Sequence, residues 1–177
     1  MIVTGAAGFI GSHVCEALLS RGDTVIGIDN FDPFYASEIK KRNLLGVITN
    51  PRFRLITCPV EDRAKYAELI TPDTTIIHLA ALAGVNPSIA QAERYVRVNV
   101  GGTTALLEAA ATMGVKSFIL ASSSSVYGNA LCRLHEGLPL SPISPYAATK
   151  GAAELMCEAY AGLYGMRVMA LRFFTVY

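Results

Sequence analysis

Apolar and polar residues fall in alternating blocks along this 177-residue chain, and the period of the pattern changes from block to block. Six short, largely apolar runs, Met1–Thr4, Thr24–Ile28, Phe53–Thr57, Thr75–Leu79, Ser117–Ala121 and Arg167–Leu171, have the length and β-branched content of buried strands. The segments between them read as helices. Gly11 to Ser20 places Val14, Ala17 and Leu18 at helical spacing and stops at Gly22. Residues 37 to 45 follow with Ser37 as N-cap and Lys40, Lys41 and Arg42 on a solvated face, then a short helix from Asp62 to Leu69. A long helix runs from about Glu93 to Met113 and ends at Gly114, and another from Tyr146 to Leu163 ends at Gly165. Six strands alternating with helices predict an α/β fold with a doubly wound parallel sheet.

The stretch TGAAGFIG sets Gly5, Gly8 and Gly11 between the first strand and the first helix. Glycine serves there where the chain turns tightly, where backbone meets a pyrophosphate and where helix packs on strand; the helix N-terminus then offers free N–H groups. An acid, Asp29, ends the second strand 18 residues beyond Gly11. Its carboxylate suits an adenosine ribose and repels a 2′-phosphate, which predicts a Rossmann fold that binds NAD rather than NADP.

A second constellation is SPYAATKGAAE, in which Tyr146 and Lys150 share one helix face behind Pro145. An ammonium beside a phenol favours the phenolate, the form a tyrosine needs to act as a base near neutral pH. A third is ASSSSVYG at residues 121 to 128. Serine runs commonly mark linkers, yet this one follows Phe118-Ile119-Leu120 and precedes Val126 and Tyr127, all strand formers.

Composition removes several alternatives. With 15 basic against 14 acidic residues the formal net charge is +1, so no global field calls for nucleic acid or an anionic membrane. Hydrophobic residues make up 52%, which fits a sheet covered on both faces, but no run approaches the ~20 apolar residues of a membrane span. The start does not read as a signal peptide, so a cytoplasmic protein is expected. Cys15, Cys58, Cys132 and Cys157 lack paired spacing and three histidines are scattered, so neither a disulfide framework nor a metal site is indicated.

Taken together, TGAAGFIGSHV (4–14), DNF (29–31), HLAALAGV (78–85), NVGGT (99–103), SSSSVYG (122–128), SPYAATK (144–150) and RFFTVY (172–177) resemble the extended short-chain dehydrogenase/reductase family, and within it the NAD-dependent nucleotide-sugar epimerases and dehydratases. The resemblance implies Ser123, Tyr146 and Lys150 as catalytic residues. It implies a cofactor-binding set of Gly5, Gly8, Phe9, Ile10, Gly11, Asp29, Asn30, Val60, Asp62, Leu79, Ala80, Ala81, Asn99, Tyr146 and Lys150, with Asp62 on the adenine amine. His78 reads as a satisfied core histidine, and Asn99 as bonded to something buried. Substrate contacts fall to Ser123, Ser124, Ser125 and Thr175.

The flanking serines narrow the implied chemistry. Dehydratases of the family carry Asp-Glu after the active hydroxyl, and UDP-glucuronate decarboxylases carry Glu before VYG; Ser124 and Ser125 cannot act as such an acid–base pair. Epimerisation at carbon 4 of a nucleotide sugar, through a transient 4-keto sugar, is favoured. IDNFDPFYASEIKKRNL, PISPYAATK and RFFTVY are most similar to UDP-glucuronate 4-epimerases, although Asn86 stands where that subgroup usually has Arg. UDP-glucose/UDP-galactose 4-epimerase activity is the alternative, and a non-catalytic NAD-binding module remains open for the isolated chain. The resemblance further implies that residues 1–177 are an NAD-binding domain whose C-terminal substrate domain is absent, with weak or no turnover by itself, a tendency to associate, and a homodimer at full length.

Overall fold

A computed structural model describes all residues 1–177. Six parallel strands, β1 (Ile2–Thr4), β2 (Val25–Asp29), β3 (Phe53–Thr57), β4 (Thr75–His78), β5 (Ser117–Ser123) and β6 (Arg167–Phe173), lie in the order β3-β2-β1-β4-β5-β6. The predicted doubly wound sheet is therefore present. The chain winds outward from β1 to β3, returns to β4 beside β1, and winds out the other way, so a crevice opens at the C-terminal ends of β1 and β4.

Alternation along the strands feeds two cores. Ile2 and Ile28 join Ile76, Leu106, Phe118 and Leu120 on one face, while Val3 and Val25 join Cys15, Leu18, Leu44 and Phe53 on the other. Burial of both faces explains why these strands read as continuous apolar runs. β6 differs. It is an edge strand, and Met169 and Leu171 on it are exposed.

The helices are α1 (Phe9–Arg21), α2 (Ser37–Asn43), α3 (Val85–Ala90), α4 (Ala92–Tyr95), α5 (Gly102–Thr112) and α6 (Pro145–Tyr164). Four expectations are corrected. Ala36, not Ser37, occupies the N-cap of α2, and the Ser37 hydroxyl turns to Glu38 instead. Residues 62–69 form two 3₁₀ turns, Arg63–Lys65 and Ala67–Leu69, rather than one helix. The long helix is broken into α4, a π-helical turn at Val96–Gly101, and α5. Finally, β5 runs on to Ser123 and β6 to Phe173, so half of the serine run is strand. No helix is long and apolar enough to cross a membrane.

Candidate active site

A cavity of about 420 Å³ occupies the crevice. Its floor is the turn after β1. Gly5 adopts φ +68°, and a Cβ there would lie 2.9 Å from the Ala80 nitrogen. At Gly11 a Cβ would lie 2.0 Å from the Gly5 carbonyl oxygen, so only glycine lets α1 start this close to the turn. Gly8 caps α1 without a side chain, which leaves the first N–H groups of the helix open to the cavity. These are the features a pyrophosphate requires, and the residues fit a dinucleotide.

At the far end of β2, Asp29 is buried and heavily bonded. Its Oδ2 accepts from the Ala7 N–H at 3.0 Å, and its Oδ1 accepts from the Phe31 N–H at 2.8 Å and from the Lys40 ammonium at 3.2 Å. Lys40 is only 7% exposed, so its predicted place on a solvated face is wrong. It sits four residues before buried Leu44 on the inner side of α2, whereas Lys41 and Arg42 do face solvent. Behind them the loop is pinned by an Arg94–Asp32 ion pair of 2.6 Å.

The other end of the cavity carries Ser123, Tyr146 and Lys150. The Lys150 ammonium donates to the Ala121 carbonyl at 2.8 Å, and burial lowers its pKa to about 8. The Tyr146 phenol is pushed up by burial, opposed by its hydrogen bond with Ser123. This corrects the expectation that Lys150 depresses the phenol: the ammonium is turned to the strand carbonyl, and desolvation of the phenolate dominates. Tyr146 is held from three sides. Its N–H donates to Ser88 Oγ at 3.0 Å, its carbonyl accepts from Thr149 Oγ1 at 2.7 Å, and its ring meets Tyr95 edge-on at 6.3 Å.

A polar chain crosses the interior behind this face. Thr103 Oγ1 donates to the Asn99 carbonyl at 2.6 Å and so accepts from His78 Nε2; His78 Nδ1 then accepts from Thr4 Oγ1 at 2.7 Å, which itself accepts from the Ala80 N–H. Burial, and next the charge of Lys150, lowers the His78 pKa to about 3, so the imidazole is neutral. Asn99 accepts from the Leu82 N–H at 2.7 Å and donates to the Leu82 carbonyl and to Thr149 Oγ1 at 3.0 Å each. The π-helical turn lets one side chain reach both the β4 turn and the catalytic helix.

Of the residues singled out from sequence, Gly5, Gly8, Phe9, Ile10, Gly11, Asp29, Asn30, Val60, Leu79, Ala80, Ala81, Ser123, Tyr146 and Lys150 line this one cavity. Five do not. Asn99 spends all its polar atoms on protein partners, and Asp62 stands at the start of the first 3₁₀ turn while neighbouring Glu61 faces the cavity. Beyond Ser123 the chain turns into a 3₁₀ helix, which takes Ser124 and Ser125 off the wall; Ser125 instead bonds back to Ser123 Oγ. Thr175 lies in the exposed tail after β6, where Phe174 and Val176, together with Phe173 at the end of the strand, line the cavity instead.

Sequence reasoning missed Lys40, Tyr35, Ser88 and Ser122. Ser122 Oγ donates to Glu154, whose carboxylate also takes a two-pronged bond from Arg172 at 2.9 Å, and Arg172 stacks 4.8 Å above the Tyr127 ring. For Lys40 the signal was its spacing to Leu44; the others depend on long-range packing.

The profile of the NAD dependent epimerase/dehydratase family matches residues 1–177. The chain belongs to this family. A probable UDP-glucuronate 4-epimerase of Rhizobium meliloti is 40% identical over 186 residues, covering 99% of this chain and 53% of the relative. The UDP-glucuronate 4-epimerase of Thermodesulfobacterium geofontis is 41% identical, covering 99% and 55%. The crystal structure of a UDP-glucuronic acid 4-epimerase from Bacillus cereus, in complex with UDP-glucuronic acid and NAD, superposes with a TM-score of 0.92 at 38% identity, covering 99% of this chain and 56% of that one. The chain thus spans about half the length of the curated relatives it matches.

Proposed function

We propose that this chain carries the cofactor site and the proton-transfer groups of an NAD-dependent nucleotide-sugar 4-epimerase of the UDP-glucuronate type. One observation carries the reading: the glycine cradle and Asp29 share a single cavity with Ser123, Tyr146 and Lys150, and no carboxylate joins them at the catalytic end. The acids that line the cavity, Asp29, Asp32 and Glu61, belong to the end of β2 and the turns after β2 and β3. Removal of water from a sugar calls for an acid–base pair beside the reacting carbons, whereas epimerisation needs one group that takes a proton and returns it.

Bound NAD would supply the hydride acceptor and donor at carbon 4. Tyr146 takes the proton of the 4-hydroxyl, and after the 4-keto sugar has turned over returns it to the same oxygen. Ser123, which lines the same end of the cavity, holds that oxygen in line. Lys150, still largely charged at pH 7, would hold the nicotinamide ribose. The uncharged Asn86, in α3, favours the second reading, a UDP-glucose/UDP-galactose substrate that needs no partner for a carboxylate. A purely NAD-binding role leaves the half-buried Tyr146 and the buried Lys150 without purpose.

Because the chain by itself is expected to turn over weakly or not at all, the test is to fuse it to the C-terminal half of the Thermodesulfobacterium geofontis relative, incubate the fusion with NAD and UDP-glucuronate, and separately with UDP-glucose, and separate the epimers by chromatography, with Tyr146→Phe as control. UDP-galacturonate formed by the parent and not by the variant is expected. Conversion of UDP-glucose alone would transfer the assignment to the second reading, and NAD binding without conversion of either sugar would refute both. We also propose that the full-length enzyme is a homodimer, for which sedimentation equilibrium should return twice its chain mass.

A further inference from the structure

An ion pair that helix geometry invites is absent at the catalytic end. Residues four apart on a helix are neighbours, and Lys150 and Glu154 stand one turn apart on α6, both turned toward β5. Each has another partner. The Lys150 ammonium donates to the Ala121 carbonyl, while the Glu154 carboxylate accepts from the hydroxyl of Ser122, the next residue of the strand, and from the Arg172 guanidinium of β6. Lys150 lines the cavity with two of its three N–H donors left over; Glu154 and Arg172 do not line it.

Arg172 is what holds Glu154 aside. Its Nη2 donates to Glu154 Oε2 at 2.9 Å, and its Nε lies 3.1 Å from Oε1 and 3.3 Å from Oε2. The guanidinium is itself fixed, because Nη1 donates to the Glu136 carbonyl at 3.3 Å and the group stacks 4.8 Å from the centre of the Tyr127 ring. The two charged side chains are only 16% and 11% exposed. Desolvation offsets most of the attraction in such a pair, so stability alone does not account for it. What the pair prevents does. Without Arg172, a largely buried carboxylate needs another cation, and α6 offers Lys150 one turn away. That pairing would draw the ammonium out of the cavity.

We propose that Arg172 is a positioning residue: by claiming the Glu154 carboxylate it keeps that acid off Lys150 and leaves the Lys150 ammonium aimed into the cavity. The surroundings of Lys150 make Glu154 the competitor that matters. β4 brings His78, which is neutral; β5 brings the Ala121 carbonyl and the hydroxyls of Ser122 and Ser123; β6 brings Arg172; and α6 itself brings Tyr146 and Glu154. Glu154 is the one carboxylate among them. The proposal deepens the reading of Lys150 as holder of the nicotinamide ribose and rests on it only for the effect on NAD, because the state of the ammonium itself needs no cofactor.

The test follows the pH titration of Lys150 by NMR of isotope-labelled lysine, without cofactor, in the parent chain, Arg172→Met, Glu154→Gln and the double variant; the resonance is assigned by its loss in Lys150→Met. Burial sets the parent midpoint at about 8. In Arg172→Met the released carboxylate should raise it by at least about one pH unit. Calorimetry should show NAD bound about tenfold more weakly by that variant, the loss of one charge-assisted hydrogen bond. Glu154→Gln and the double variant have no carboxylate to release; both should keep the parent midpoint or fall below it, and the double variant should recover the parent's NAD affinity. If the cluster were only structural, breaking it by any of these changes would loosen the site, let water reach Lys150 and raise the midpoint alike. That pattern, or an unchanged midpoint in Arg172→Met, would overturn the proposal. A raised midpoint with NAD affinity unchanged, or a parent that binds no NAD, would remove the ribose reading and leave the proposal standing on the titration. If Arg172→Met does not fold, Arg172→Gln removes the same charge, keeps an amide donor for the Glu136 carbonyl, and must raise the midpoint in the same way.

Discussion

Replacing Lys150 by methionine should make the protein more stable at neutral pH and less stable in mild alkali. Lys150 is 6% exposed, and burial lowers its pKa from the ordinary 10.5 to about 8. The folded state therefore gives up the proton near pH 8, while the unfolded chain keeps it to about pH 10.5. Below pH 8 the group is charged in both states and the full penalty of burying the charge applies, about 3 kcal/mol at about 1.4 kcal/mol per pH unit. As pH rises from 8 to 10.5 the unfolded state binds the extra proton, so the parent gains that stability back. Methionine removes the charge but also leaves the Ala121 carbonyl without its 2.8 Å donor, a loss of about 1 kcal/mol. The variant should thus be about 2 kcal/mol more stable than the parent at pH 7 and about 1 kcal/mol less stable near pH 10.5. Urea unfolding at half-unit steps from pH 7 to 10.5 reads this directly, since tyrosines and cysteines titrate alike in both proteins. A variant that is less stable at pH 7, or a difference that does not change with pH, would refute the reasoning.

His78 acts in the opposite pH range: its neutral ring, with a pKa lowered to about 3 against an ordinary 6.5, makes the fold lose about 3 kcal/mol as pH falls from 6.5 to about 4. His78→Gln, compared with the parent by acid unfolding, should flatten that slope. Gly11→Ala drives a methyl group into the Gly5 carbonyl oxygen; it should be destabilising by about 3 kcal/mol or more and abolish NAD binding in a thermal-shift titration. Asn99→Ala strands the N–H and carbonyl of Leu82 in the interior and should lower stability by about 2–3 kcal/mol, measured by urea unfolding.

The sheet was legible in the chain because strands buried on both faces must be apolar throughout, and the interruptions by glycine and by helical spacing leave few other ways to connect them. The glycine turn was legible for a local reason too: Gly11 answers to the Gly5 carbonyl six residues earlier and Gly5 to its own positive φ, although the Ala80 nitrogen that also crowds Gly5 comes from the far side of the sheet. Tyr146 and Lys150 are one helical turn apart, so their shared face followed from spacing alone. What spacing does not contain is where a polar group will end after the layers close. Lys40 looks like its neighbours Lys41 and Arg42 in sequence, but α2 packs with its Leu44 side inward and carries Lys40 onto Asp29. Ser124 and Ser125 continue the run that includes Ser123, yet the strand ends between them and the turn carries them off the cavity wall. Asn99 reaches Leu82 and Thr149 only because a π-helical turn brings it there. Even the phenol of Tyr146 is set by depth rather than by its neighbour four residues on: burial raises its pKa, and the ammonium is turned to a strand 29 residues earlier in the chain. Local periodicity determines elements and their order; desolvation and long-range hydrogen bonds, which exist only once those elements pack, decide what each polar group does.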